Sequence, residues 1–124
     1  MGSAFSSGLS KEEMETMMNK AKELASSAPV FVFSKTYCGY CKRLKDLLTQ
    51  LGATYKVIEL DTERDGDGIQ SALAEWTGQR TVPNVFIGGK HIGGCDTVLE
   101  KHRAGQLVPL LNDAGAIANN SAQL

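Results

Sequence analysis

The chain has 124 residues, about the length of one domain that folds without disulfide bonds or metal ions. Its net charge of −1 and balanced acids and bases exclude the basic surface typical of nucleic-acid-binding proteins. No apolar run approaches a membrane span, and charged residues at 11–23 exclude an early secretory signal, so we expect a cytoplasmic protein. Three cysteines cannot form a disulfide framework, and they indicate redox chemistry or metal binding.

Residues 1–9 are expected to be a flexible segment with one loose motif. Gly2 follows Met1 and Ser6 occupies the sixth position, a pattern typical of N-myristoylation. Short termini rich in small residues also match this pattern by chance, and a single myristoyl chain anchors a protein weakly. The motif therefore predicts at most a weak membrane association.

The predicted domain spans residues 10–117 and opens with a helix. Ser10 and Glu13 form a capping box, and apolar residues then recur at helical spacing as far as Pro29. Val30 to Phe33 is a β-rich run that favours a buried strand. This strand leads directly to Cys38, so we expect that cysteine at the exit of the strand.

A second helix is predicted from Gly39 to Gly52, since Gly52 stands where a glycine commonly ends a helix. Tyr55 to Leu60 favours a second strand, and the acidic, glycine-rich segment 61–68 favours a loop before a third helix. Two successive strand–helix units predict a parallel pair of strands.

The last strands are predicted at Val82 to Ile87 and Lys90 to Ile92, and Gly88-Gly89 between them is a two-residue hairpin signal. Two helical segments follow, and residues 118–124 are expected to fray. The order βαβαββα predicts an α/β protein of the thioredoxin-like fold. We therefore expect a four-stranded mixed sheet flanked by helices, with an extra N-terminal helix.

Cys38 and Cys41 are spaced so that the first lies at the start of a helix and the second one turn inside it. Backbone N–H groups and the helix dipole stabilise a thiolate at the first position. The cations Lys35, Lys42 and Arg43 can add to that effect. Cys38 is therefore the predicted nucleophile, and the deeper Cys41 is the predicted resolving thiol.

A CxxC pair can also be half of a zinc site. The remaining candidate ligands, Cys95, His91 and His102, lack the paired spacing of a zinc finger or ribbon. The spacing therefore argues against a mononuclear zinc site.

Thr81-Val82-Pro83 begins a predicted strand, where proline is tolerated, and leaves the Val82 backbone without a partner. An exposed N–H and C=O beside a reactive thiol can pair with an extended peptide. That docking calls for a cis Val82–Pro83 bond, and the alternative for Pro83 is a plain proline at a strand start.

Gly93-Gly94-Cys95-Asp96 combines flexible backbone with a helix start, a natural cradle for a carboxylate. Asp96 can receive a ligand amine, or it can cap the helix without any ligand. Cys95 can equally be a small buried side chain that only fills space.

Together, Thr36-Tyr37-Cys38-Gly39-Tyr40-Cys41, Thr81-Val82-Pro83 and Gly93-Gly94-Cys95-Asp96 resemble the glutaredoxin family, most closely its plant dithiol members. The resemblance covers roughly residues 30–111. It implies a glutathione-dependent oxidoreductase that reduces glutathione mixed disulfides and protein disulfides, with Cys38 attacking and a second glutathione regenerating the thiol. The apo enzyme is then expected to be a monomer.

The same resemblance implies a glutathione-binding groove. Lys35 and Gln70, with Arg80 as a weaker candidate, would meet the glycyl carboxylate. The Val82 backbone would pair with the cysteinyl part, shaped by Thr81 and Pro83. The remaining implied contacts are Tyr40 beside the thiol and Gly94, the Cys95 backbone and Asp96 at the γ-glutamyl end.

Gly39 departs from the commonest dithiol pattern, which has proline between the cysteines. Glycine loosens the helix start and lets a larger group approach the sulfur. By resemblance, glutaredoxins with a small residue there can carry a 2Fe–2S iron–sulfur cluster that bridges a homodimer, with Cys38 and glutathione as its ligands. The motif permits this second role without requiring it.

Overall fold

The computed structural model describes residues 8–117, and the predicted myristoylation motif and frayed tail lie outside this range. In chain order the elements are α1 Lys11–Ala25, β1 Val30–Ser34, α2 Gly39–Gln50, β2 Lys56–Glu59, a 3₁₀ turn Leu60–Thr62, α3 Gly66–Thr77, β3 Asn84–Ile87, β4 Lys90–Gly93, α4 Cys95–Arg103 and α5 Leu107–Asp113. This order confirms the predicted thioredoxin-like arrangement and the extra N-terminal helix. Within residues 8–117 no helix has the length and apolar character needed to span a membrane.

Two helix ends form as their local sequence predicts. At the start of α1, the Ser10 hydroxyl accepts the Glu13 N–H and the Glu13 carboxylate accepts the Ser10 N–H. This capping box satisfies two backbone donors that a helix start otherwise leaves free. At the end of α2, Leu51 is the C-cap and Gly52 follows with φ +74°.

The sheet is mixed, with strand order β2-β1-β3-β4. Strands β1 and β2 are parallel, and Ser34 at the end of β1 lies opposite Glu59 at the end of β2. Strand β3 is antiparallel to both β1 and β4. Gly88 and Gly89 join β3 to β4 with φ values of +60° and +79°, as a tight two-residue hairpin requires.

The predicted strand ends were wrong by one or two residues. The second strand stops at Glu59 because Leu60 begins a 3₁₀ turn. The third strand begins at Asn84, so Val82 lies before the sheet and not in it. This placement leaves the Val82 backbone beside the sheet edge where Cys38 lies.

The prediction of a loop through residues 61–68 was also wrong, because α3 begins at Gly66. Gly66 is buried, and a Cβ atom there would lie only 1.8 Å from the Leu60 carbonyl oxygen. The glycine therefore permits a close approach between the 3₁₀ turn and α3, a packing role that its sequence neighbourhood does not indicate.

Each face of the sheet has its own hydrophobic core. One core joins alternate residues of β1 to α2, α4 and α5, and it includes Val30, Val32, Leu44, Leu48, Val98, Leu107 and Leu111. The other joins the intervening residues to α1 and α3, and it includes Ala21, Ala25, Phe31, Phe33, Ile69, Leu73 and Phe86. The two cores hold β1 in the middle of the molecule, so the residues that follow β1 start from a fixed point.

Candidate active site

Cys38 is the N-cap residue of α2 and is half-buried. The Cys41 backbone N–H donates a hydrogen bond to the Cys38 sulfur over 3.1 Å. On its other side, the Cys38 thiol donates to the Val82 carbonyl oxygen, 3.7 Å away. A helix start with an N–H aimed at the sulfur favours the negatively charged thiolate. The structure thus places Cys38 at the start of a helix, where the sequence predicts it, and its role as nucleophile stays a prediction.

Cys41 lies one turn inside α2 and is fully buried. Burial, with the hydrogen bond to Cys38 as the second cause, raises the pKa of its thiol to about 11. The Ser34 hydroxyl acts in the opposite direction. Cys41 is therefore a neutral thiol at physiological pH, as a protected resolving cysteine should be before its partner reacts.

A short turn carries the chain from β1 to Cys38, and a carboxylate holds it. The Cys38 N–H donates to the Lys35 carbonyl oxygen over 3.1 Å. The Thr36 N–H donates to Asp61 Oδ1 over 2.9 Å, and the Thr36 hydroxyl donates to Asp61 Oδ2. These two Thr36 hydrogen bonds hold the pKa of Asp61 below its usual value.

Asp61 was missed by the sequence analysis, although the topology contains a signal for it. Parallel pairing of β1 and β2 places Ser34 opposite Glu59. Thr36 and Asp61 each follow these paired residues by two positions, and neighbouring parallel strands end at the same edge of a sheet. A polar residue at that offset is therefore expected beside the nucleophile's turn.

A cleft of about 350 Å³ opens at Val82, whose carbonyl oxygen is the one that the Cys38 thiol contacts. It is lined by Tyr40, Thr81, Val82, Pro83, Gly94, Cys95, Asp96 and Thr97. Tyr40 and the 81–83 and 94–96 segments are thus brought together as predicted. Thr97 was missed, although it lies in the first turn of α4 directly after Asp96. The Val82–Pro83 peptide bond is cis, as the docking hypothesis required and the plain strand-start alternative did not.

The structure tests the alternative roles considered for two cleft residues, Asp96 and Cys95. Of the two alternatives for Asp96, capping of α4 was wrong, because Gly94 is the N-cap and no side chain caps this helix. Asp96 is therefore exposed at the cleft without a capping bond. Cys95 is buried, as a space-filling side chain would be, and burial raises the pKa of its thiol, while the charge of Arg43 acts against this.

Lys35, Gln70 and Arg80 do not line this cleft, although the structure brings two of them together. The Gln70 side-chain amide donates to the Arg80 carbonyl oxygen over 2.8 Å. This bond ties α3 to the segment that leads into Thr81. Lys35 stands at the start of the turn to Cys38, where its charge also contributes to the lowered pKa of Asp61.

Comparison with known proteins identifies this arrangement. The glutaredoxin family model matches residues 30–92. The chain is 70% identical to glutaredoxin-C1 of Arabidopsis thaliana over 125 residues, covering all of both chains. The buckwheat glutaredoxin–glutathione complex shares 64% identity and a TM-score of 0.87, covering 89% of this chain and all of that one. The holo form of glutaredoxin C1 from Populus tremula x tremuloides shares 72% identity and a TM-score of 0.79, covering 80% and 98%. The chain therefore belongs to the glutaredoxin family of glutathione-dependent thiol–disulfide oxidoreductases.

Proposed function

We propose that the protein reduces mixed disulfides between glutathione and protein thiols through Cys38, and protein disulfides through Cys38 and Cys41. The observation that carries this proposal is the position of the Cys38 sulfur. It accepts the Cys41 N–H at the start of α2 and lies against the Val82 carbonyl on the wall of the cleft.

The chemistry follows from which sulfur is accessible, since Cys38 is half-buried and Cys41 is fully buried. The Cys38 thiolate attacks the glutathione sulfur of a mixed disulfide, and the protein thiolate leaves and takes a proton. Cys38 then carries glutathione until a second glutathione thiolate attacks the glutathione sulfur, which regenerates Cys38 and yields glutathione disulfide. With a protein disulfide, Cys38 becomes bonded to the substrate, and Cys41 must lose its proton to attack Cys38 and release it.

The cleft supports an orientation for the bound glutathione. The Val82 N–H has no hydrogen-bond partner within residues 8–117, so it is free to pair with the cysteinyl part of the ligand. Asp96 and the first N–H groups of α4 suit the amine and carboxylate of the γ-glutamyl end. Gln70 and Arg80, together with Lys35 on the other side of Cys38, suit the glycyl carboxylate at the far end.

A trapping experiment tests which sulfur is attacked. The Cys41→Ser variant is mixed with a glutathionylated peptide without free glutathione, and the products are read by mass spectrometry. We expect one glutathione on Cys38 and free peptide thiol, because the cleft holds the glutathione part at the nucleophile. Peptide on Cys38 in place of glutathione would contradict this orientation, and the Cys38→Ser variant should acquire neither.

A second function, carriage of a 2Fe–2S cluster by a homodimer, is favoured by one observation at Gly39. A Cβ atom there would meet nothing within 4 Å, so residue 39 is not packed against the rest of the molecule and leaves the start of α2 open to a larger group. Residues 8–117 contain no group of three or more His, Cys, Asp or Glu arranged to hold a metal. Cys38 can therefore supply only one ligand of such a cluster, and the others would come from a second copy and from glutathione.

Iron and sulfide analysis with size-exclusion chromatography tests this second function. The protein is reconstituted without oxygen and with glutathione, as wild type, Gly39→Pro and Gly39→Ala. We expect about two irons per dimer for wild type and alanine, and less cluster and less dimer for proline, which stiffens the helix start. A colourless monomeric wild type, or a proline variant that assembles the cluster fully, would contradict the role assigned to Gly39.

A further inference from the structure

The side chain of Gln79 holds the loop that presents Val82. Its Nε2 donates to the Thr81 carbonyl oxygen over 3.1 Å and to the Pro83 carbonyl oxygen over 3.0 Å. Gln79 itself does not line the cleft. A single amide group therefore bonds the backbone on both sides of Val82.

The bond to Thr81 determines where the Val82 N–H points. The Thr81 carbonyl and the Val82 N–H belong to one planar peptide unit and point in opposite directions in a trans peptide. Within residues 8–117 the only cis peptide bond is Val82–Pro83, so the Thr81–Val82 unit is trans. By bonding the Thr81 carbonyl, which the Val82 N–H opposes across the same peptide plane, Gln79 fixes the direction of that N–H.

The orientation of the Gln79 amide follows from its neighbours. Two carbonyl oxygens within 3.1 Å require the NH₂ group on their side, so Oε1 faces the other way. There it lies 3.2 Å from Nε2 of His91. Because Oε1 can only accept, His91 must carry a hydrogen on Nε2, and it supports the Gln79 amide from the far side of the loop.

The main chain of Gln79 is also held. Its N–H donates to the Thr77 hydroxyl over 3.1 Å, and its carbonyl oxygen accepts from Asn84 over 3.5 Å. A Cβ atom built on Gly94 would lie 3.6 Å from Gln79 Nε2. The absent side chain of Gly94 therefore leaves room for the Gln79 amide, whose hydrogen bonds go to the 81–83 loop.

We propose that Gln79 is a positioning residue, which orients the Val82 N–H toward the cysteinyl part of glutathione, and that His91 supports it. The ligand in this inference, glutathione, rests on the proposed function. The geometry rests on the two hydrogen bonds from Gln79 to the carbonyl oxygens. Gln79 acts through Val82 and should affect how well the glutathione part is held, not how reactive the Cys38 sulfur is.

The test replaces Gln79 by Glu, which keeps the shape and sets a carboxylate oxygen against two carbonyl oxygens. We expect KM for a glutathionylated peptide to rise about tenfold and kcat to change less than about twofold, since two hydrogen bonds are lost. The rate at which iodoacetamide alkylates Cys38 should not change. Gln79→Met, of similar length and uncharged, is a second variant, and Gln50→Glu on the exposed end of α2 is the matched control.

The His91 variants provide a graded test. His91→Gln keeps an N–H that can reach Oε1 and should behave as wild type. His91→Leu loses it and should raise KM about twofold, because His91 is exposed and its hydrogen bond competes with water. Equal effects of the two variants would contradict the support assigned to His91.

The amide resonance of Val82 gives a readout that does not depend on turnover. We expect it to shift in Gln79→Glu and Gln79→Met and to stay in place in Gln50→Glu. The inference would be overturned if the wild type is active and both Gln79 variants keep its KM and the position of its Val82 amide resonance. An inactive wild type would refute the proposed function instead, and the inference would then be decided by the Val82 resonance alone.

Discussion

The backbone N–H of Cys41 donates to the Cys38 sulfur, so the fully buried cysteine supports the half-buried one through its main chain. Its own thiol has a pKa raised to about 11 by burial. A backbone hydrogen bond survives a change of side chain. The two cysteines can therefore be separated by mutation, since removal of the Cys41 thiol leaves the support for Cys38 in place.

Cys41→Ser should spare deglutathionylation and weaken protein disulfide reduction. The first reaction uses one thiol, whereas the second needs Cys41 to release the substrate from Cys38. We expect deglutathionylation within about threefold of wild type and a loss of disulfide reduction of at least about tenfold, measured in coupled assays with matched substrates. Cys38→Ser should abolish both, and equal losses in Cys41→Ser would contradict these roles.

The rate at which Cys41 releases a bound substrate should rise steadily with pH. Only the thiolate attacks, and because burial, the largest cause, raises the pKa of Cys41 above its ordinary value, the thiolate fraction grows about tenfold per pH unit in the neutral range. Rapid-quench measurement of release from a Cys38 mixed disulfide between pH 6 and 9 should give a nearly log-linear rise. A plateau below pH 8 would mean that the Cys41 thiol is far more acidic in the intermediate.

Asp61→Asn should make protein stability depend less steeply on pH in the acid range. The pKa of Asp61 is held below its usual value of 3.8 by Thr36, so the unfolded chain binds this proton first. Its contribution to stability is therefore present above pH 3.8 and is lost as the pH falls through the lower folded value. The melting temperature, measured between pH 2.5 and 6, should fall less steeply with decreasing pH in the variant than in wild type. Equal slopes would contradict the hydrogen bonds between Thr36 and Asp61.

Lys45→Met should destabilise the protein far more than Lys42→Met on the same helix. Lys45 pairs with Glu59 at 2.9 Å, with only 26% and 25% of the two side chains exposed, and Glu59 Oε1 is buried without another partner. We expect a loss of about 2 kcal/mol in urea unfolding, because the carboxylate is left half-buried and unpaired. Lys42 and Asp46 are largely exposed, so Lys42→Met should cost at most about 0.5 kcal/mol.

Gly66→Ala should be strongly destabilising. The new methyl group would lie 1.8 Å from the Leu60 carbonyl oxygen, and both groups are backbone-bound and cannot rotate away. We expect a loss of about 3 kcal/mol in the free energy of unfolding. Gly39→Ala is the control, since its methyl group would meet nothing within 4 Å, and it should change stability by less than about 0.5 kcal/mol.

Local features were predictable where short stretches of chain decide the structure. The capping box at Ser10 and Glu13, the helix end at Gly52 and the Gly88-Gly89 hairpin each depend on residues within four positions of one another. The nucleophile at Cys38 belongs to this group, because its support comes from the N–H three residues later.

Features that depend on tertiary packing were missed. Segment 61–68 is acidic and rich in glycine, which locally favours a loop, but Gly66 is packed under Leu60 and begins α3. Asp96 has a residue type that caps helices, but the backbone places Gly94 at the N-cap. Asp61 and Gln79 support the site through contacts that local sequence patterns do not report.

The cleft is lined by Tyr40, the 81–83 loop and the start of α4, three stretches that only the complete fold brings together. The reactivity of the sulfur, in contrast, resides in a single turn of helix. Selectivity and reactivity therefore depend on different parts of the molecule. A change confined to the start of α4 would loosen the choice of substrate and leave the hydrogen bond from the Cys41 N–H to the sulfur in place.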